Sequence, residues 1–153
     1  MKKNGKKVAL VGGPAIIHSG ASDAVAAMVR EGYIDLIFAG NALAVHDLEH
    51  NIFGTSLGMN LKTGELMTVG NCHHLYTINK IMEAGSIYAA VESGLVTGGI
   101  MYECIKNDVP FVLAGSIRDD GPLPDVIQNT IEAQAVMRKH IVAPDLGMML
   151  MVA

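Results

Sequence analysis

Short uninterrupted apolar runs alternate along the chain with longer stretches in which apolar residues recur at helical spacing. Val8 to Val11 is one such run, closed by Gly12, Gly13 and Pro14, and it predicts a buried strand entering a glycine-rich turn. Ser22 and Asp23 then offer an N-cap to a helix that carries Val25, Met28 and Val29, with Gly32 as its stop. Residues 36–39 predict a second buried strand ended by Gly40 and Asn41, and residues 43–53 return to the helical period. Residues 55–69 hold Gly58 and Gly64 without sustained period, so they read as a long functional loop or a small hairpin. Further helices are expected over 75–84, 86–93, 99–107 and 130–140, and further strands over 111–114 and 146–152, with a polar turn over 115–124. Such alternation implies an α/β fold with a parallel sheet covered by helices on both faces.

Length and composition narrow the function classes. The 153 residues suit one domain over 1–153, and 50% hydrophobic against 17% charged residues excludes intrinsic disorder. A net charge of -4, without a basic cluster beyond Lys2, Lys3, Lys6 and Lys7, excludes nucleic acid as the main partner. The longest apolar run, 146–153, is far shorter than the roughly 18 residues needed to span a bilayer, and the start lacks a signal-peptide core. A soluble, cytoplasmic protein without a membrane partner is the expectation. Cys72 and Cys104 are the two cysteines, which argues against a disulfide framework, and Cys104 lies in a helical apolar pattern expected of a core residue.

Candidate chemistry gathers at the strand ends. Ligands of parallel sheets bind outside the carboxyl ends of the strands, which here carry Gly12-Gly13, Gly40-Asn41 and Gly115-Ser116. The turn from Gly12 through His18 to Gly20 can bring backbone amides to a phosphate, although it lacks the GxGxxG spacing and also reads as a plain strand end. Asn41 can donate and accept hydrogen bonds, and Ala42 leaves room for a ring or ribose; a helix-capping asparagine is the other reading. His46 and His50 share a helical face and, with Cys72, His73 and His74, form the sharpest zinc hypothesis, yet no CxxC or HExxH pattern accompanies them. The turn Arg118 to Asp125 concentrates acids that either hold ribose hydroxyls or form a solvated turn with Asp125 as a cap.

Four segments together resemble a known family: Gly12 to His18, Phe38 to Asp47, Gly70 to His74 and Leu113 to Asp125. They look like the archaeal and cyanobacterial family first labelled a lysine-ketoglutarate reductase/saccharopine dehydrogenase conserved region, which includes NAD-dependent ornithine cyclodeaminases. The resemblance covers nearly the whole chain and implies a Rossmann-like, deoxyhypusine-synthase-like domain binding NAD. It places cofactor contacts at Asn41, Ala42 and Asp120, beside the glycine-containing strand ends Gly12, Gly13, Gly115 and Ser116. Family members are longer, with a region before this domain and a strand, helix and nucleotide-contacting turn after it. The sheet is therefore expected to be incomplete at its C-terminal side: either a homo-oligomer or a partner chain supplies the rest, or the chain is a piece cut from a longer protein. The implied reaction converts L-ornithine to L-proline and ammonia by transient hydride transfer, with no metal. His46, Asp47 and His73 are the candidates for moving protons, with helix-face and capping roles as their alternatives. From a different class, the alternative is a non-catalytic nucleotide-binding or assembly subunit completed by a partner chain.

Overall fold

In a computed structural model, which describes residues 2–142 and the backbone of 146–151, each apolar run closed by a glycine becomes a strand of one sheet. The elements in chain order are β1 (Lys7–Gly12), α1 (Ala15–His18), α2 (Ser22–Arg30), β2 (Leu36–Gly40), α3 (Asn41–Phe53), β3 (Thr55–Ser56) and β4 (Met59–Asn60). They continue as α4 (His73–Ala84), α5 (Ile87–Glu92), α6 (Ile100–Lys106), β5 (Phe111–Ala114), β6 (Val126–Ile127), α7 (Thr130–Ile141) and β7 (Leu146–Met151). The sheet order is β6-β5-β2-β1-β7, and every neighbouring pair is parallel. The carboxyl ends of β1, β2 and β5 therefore share one edge, because Gly12 pairs with Ala39 and Gly40 with Ala114.

Alternation along the strands divides the core in two. Leu10, Ile37, Ala39 and Leu113 point to one face and join residues of α1 to α6 in the larger cluster. Ala9, Leu36, Phe38 and Val112 point to the other, where Val136 and Met137 of α7 cover them. Helices thus lie on both faces, unequally shared. Among the described residues no helix is long and apolar enough to cross a membrane.

Several expectations shift by a few residues and some change meaning. The expected helix starts at Ser22 as α2, but no side chain caps it; the Ser22 hydroxyl instead donates to Asp47 at 2.9 Å. The single turn α1 and the two-residue strand β6 fall below the length at which periodicity can be read. Residues 55–69 contain the small hairpin β3–β4. Its return is fixed by two glycines in backbone contact: a Cβ on Gly58 would lie 2.6 Å from the Gly70 carbonyl carbon. The expected fourth strand pairs along β1 as β7, while Val152 and Ala153 lie outside the described residues.

Candidate functional site

The site grows from the junction of β2 and α3. Gly40 ends the strand in an extended conformation and α3 begins at Asn41 without a side-chain cap, so its first-turn N–H groups face the carboxyl edge of the sheet. One helical face then presents Asn41, Ala42, Val45 and His46 to a cleft. His74 and Ile78 of α4 and Arg118, Asp119 and Asp120 of the turn after β5 close its other sides.

Behind the cleft lies a buried polar network centred on Glu49, three residues after His46. Its Oε2 is 2.9 Å from His46 Nδ1, and its Oε1 accepts the Thr55 hydroxyl at 2.8 Å and, more weakly, the Gly58 N–H at 3.5 Å. Thr55 Oγ1 is in turn 2.8 Å from His73 Nδ1. Burial pushes the Glu49 carboxyl up, but the hydrogen bonds from His46 and Thr55 and the charge of His46 outweigh it, so the group sits below its ordinary range. The His18 and His46 rings meet edge to face with centroids 4.8 Å apart, and His18 Nδ1 lies 2.8 Å from Ser56 Oγ. Burial, then the charge of His46, lowers the His18 pKa against a smaller opposing effect of Glu49.

The structure treats the sequence candidates differently. His46 is buried at the cleft wall, and His73, stacked on Phe53 at 4.7 Å, joins it through Thr55 and Glu49. Asp47 requires correction as a proton-transfer candidate, because it faces away from the cleft. Its carboxylate accepts the backbone N–H groups of Ile100 and Met101 and the Ser22 hydroxyl, tying α6 and α2 to α3. Burial pushes its carboxyl up, opposed by those hydrogen bonds. Asn41 is neither a free ligand group nor a cap: its amide donates to the Gly121 carbonyl, and its oxygen accepts the Leu123 N–H. Ser116 likewise donates its N–H and hydroxyl to Asp119, which frames the turn. Gly12 is small for packing, since a Cβ there would meet Ile16 Cδ1 at 2.7 Å. Gly115 is crowded by Gln128 and Val126 in the same way. Asp120 is 70% exposed, with Oδ2 3.3 Å from His74 Nε2.

Sequence reading gave Glu49 and Thr55 no role and weighed His74 only as a zinc ligand. Glu49 carried a signal in its spacing of three from His46 on a helix.

A family model described as arginine dihydrolase ArgZ-like, C-terminal, Rossmann fold matches residues 1–153. The chain belongs to this ArgZ-like family. It is 58% identical over 153 residues to the ornithine cyclodeaminase of Methanothermobacter thermautotrophicus, covering 100% of this chain and 37% of that protein. The bifunctional arginine dihydrolase/ornithine cyclodeaminase AgrE of Nostoc is 49% identical over 146 residues, 95% of this chain and 21% of AgrE. A crystal structure of AgrE in ternary complex with ornithine and NAD+ superposes with a TM-score of 0.90 at 48% identity, covering 95% of this chain and 22% of that one. The chain thus spans about a third or less of these relatives. A protein named for deoxyhypusine synthase from Entamoeba histolytica shares the fold alone, with a TM-score of 0.61 at 12% identity.

Some groups lining this cleft suit a nucleotide. Uncapped N–H groups at the start of α3 suit a phosphate, the exposed Asp120 carboxylate suits ribose hydroxyls, and Ala42, Val45 and Ile78 offer apolar wall. For the zinc alternative, no group of three or more His, Cys, Asp or Glu side chains among the described residues is arranged to hold a metal ion. His46, His50 and Cys72 therefore do not converge.

Proposed function

We propose that this chain is the NAD-binding domain of an ornithine cyclodeaminase, converting L-ornithine to L-proline and ammonia, with His46 moving protons at the carboxyl edge of the sheet. The observation that carries this reading is the meeting, in one cleft, of an uncapped helix start, an exposed carboxylate at Asp120 and a histidine backed by buried Glu49. Ornithine and NAD+ bound together in AgrE support it.

NAD, when bound, supplies a hydride acceptor that is restored within each turnover. The chain's own groups do the rest. The first turn of α3 holds the negative phosphates, Asp120 accepts from ribose hydroxyls, and the apolar wall excludes water from one side of the cleft. One nitrogen of the substrate must lose a proton to become a nucleophile, and the other must gain one to depart as ammonia. Imidazole serves both needs near neutrality, and His46 is the cleft histidine whose ring is held by a buried carboxylate.

Calorimetric titration of NAD, followed by NMR of isotopically labelled ornithine, tests the reading. Saturable NAD binding and equimolar proline and ammonia without net NADH are the expected results. Accumulation of one NADH per ornithine consumed would show an ordinary amino-acid dehydrogenase instead. The second reading, from a different class, is a non-catalytic nucleotide-binding or assembly subunit completed by a partner chain. NAD binding without any proline would support that one.

A further inference from the structure

One buried carboxylate serves two histidines. Glu49 and Thr55 are both 0% exposed, so water does not compete for their hydrogen bonds. A threonine hydroxyl has a single proton, and that of Thr55 goes to Glu49 Oε1 at 2.8 Å. Thr55 Oγ1 must then accept at its 2.8 Å contact with His73, which puts the hydrogen on His73 Nδ1. An ionised carboxylate only accepts, so His46 Nδ1, 2.9 Å from Glu49 Oε2, carries a hydrogen as well. Hydrogen bonds that hold the Glu49 carboxyl below its ordinary range are consistent with its being ionised at neutral pH.

We propose that Glu49 is the positioning residue of the site: it fixes His46 directly, and His73 through Thr55, as Nδ1–H tautomers and leaves Nε2 of each ring as the proton acceptor. A neutral imidazole carries its hydrogen on either nitrogen unless a partner chooses. The ring contacts of His46 with His18 at 4.8 Å and of His73 with Phe53 at 4.7 Å hold the planes while Glu49 sets the protons. Two rings prepared alike suit a reaction that handles protons on two nitrogens, and in that respect the inference rests on the function proposed above.

The competing reading makes Glu49 and Thr55 a purely structural staple between α3 and the hairpin. Histidine-labelled chain, observed by 15N NMR above the imidazole titration, separates the two without substrate or cofactor. His46 and His73 are expected as Nδ1–H tautomers in the unaltered protein; finding either as Nε2–H overturns the proposal without any variant. Glu49→Gln keeps the size but offers one acceptor and one donor, so it cannot accept from both His46 and Thr55. One of the two histidines should switch to Nε2–H, and no switch in a folded Glu49→Gln protein would also overturn the proposal. Thr55→Val should release His73 alone, and Thr55→Ser should restore it. In proline formation, Glu49→Gln should lower kcat roughly 10²- to 10⁴-fold with a much smaller change in KM. The expected tautomers in a protein that binds no NAD would refute the proposed function and leave this inference standing. NAD binding and turnover with the opposite tautomers would do the reverse.

Discussion

Asp119 and Asp120 are chain neighbours whose carboxylates do different things. Asp119 accepts the N–H of Ser116 at 2.8 Å and its hydroxyl at 3.2 Å, holding the turn closed, whereas Asp120 keeps an exposed carboxylate toward His74 and the cleft. Loss of a charged hydrogen-bond acceptor costs about 1.5 to 3 kcal/mol. Asp120→Ala is therefore expected to weaken NAD binding roughly tenfold to hundredfold by calorimetry, with an unchanged circular dichroism spectrum. Asp119→Asn, which keeps an oxygen for Ser116, is the control and should change affinity much less. Asp119→Ala is a poor control, because it opens the turn that presents Asp120. Equal, small effects of Asp120→Ala and Asp119→Asn would remove Asp120 from the site. The pair of acids was visible in the sequence as a stiff acidic turn. Which acid would keep an exposed carboxylate was not legible in the residue types, because that depends on a closure between residues 116 and 119; only the family resemblance pointed to Asp120.

The same limit acts along α3, where neighbours in sequence point about 100° apart. His46 faces the cleft and Glu49, at the next position on that face, backs it, while Asp47 turns to the buried side and caps the start of α6. Helical period made the apolar face of α3 legible. Adjacency to His46 made Asp47 look chemical although the helix separates the two, and it hid Glu49, which lies three positions away. Asp47→Ala would leave the Ile100 and Met101 N–H groups and the Ser22 hydroxyl without their buried acceptor, each omission costing about 1 to 3 kcal/mol. A loss of at least about 3 kcal/mol in urea unfolding is expected, with NAD affinity of the folded fraction nearly unchanged. Gly99 packs directly on this carboxylate: a Cβ there would lie 2.8 Å from Asp47 Oδ2. A stable Asp47→Ala protein that binds NAD and makes no proline would return Asp47 to the chemistry.

Across the whole molecule, alternation of runs was enough to imply a parallel sheet, because a strand that is apolar on both sides must be covered on both faces. Strand order was not legible: β7 lies beside β1 although it comes last, and that pairing is decided by long-range packing. The outer surface carries the remaining consequence. Leu57 is 59% exposed, Leu66 79%, Val69 61% and Met82 55%, on the hairpin segment and α4. Leu75 and Met82 line a groove that runs to Asp120 and Pro124, so a partner seated there would abut the candidate cleft. A contiguous exposed apolar surface is what a protein partner would cover. A homo-oligomer, or a complex with a partner chain, is expected by native mass spectrometry and light scattering at micromolar concentration. Met82→Asp should shift the equilibrium toward the single chain, because burying an unpaired carboxylate in an apolar contact costs several kcal/mol, roughly a hundredfold or more in dissociation constant. If the unaltered protein is a single chain at every concentration, and Met82→Asp changes neither mass nor NAD affinity, this surface is ordinary solvent-facing surface and the cleft is built by one chain alone.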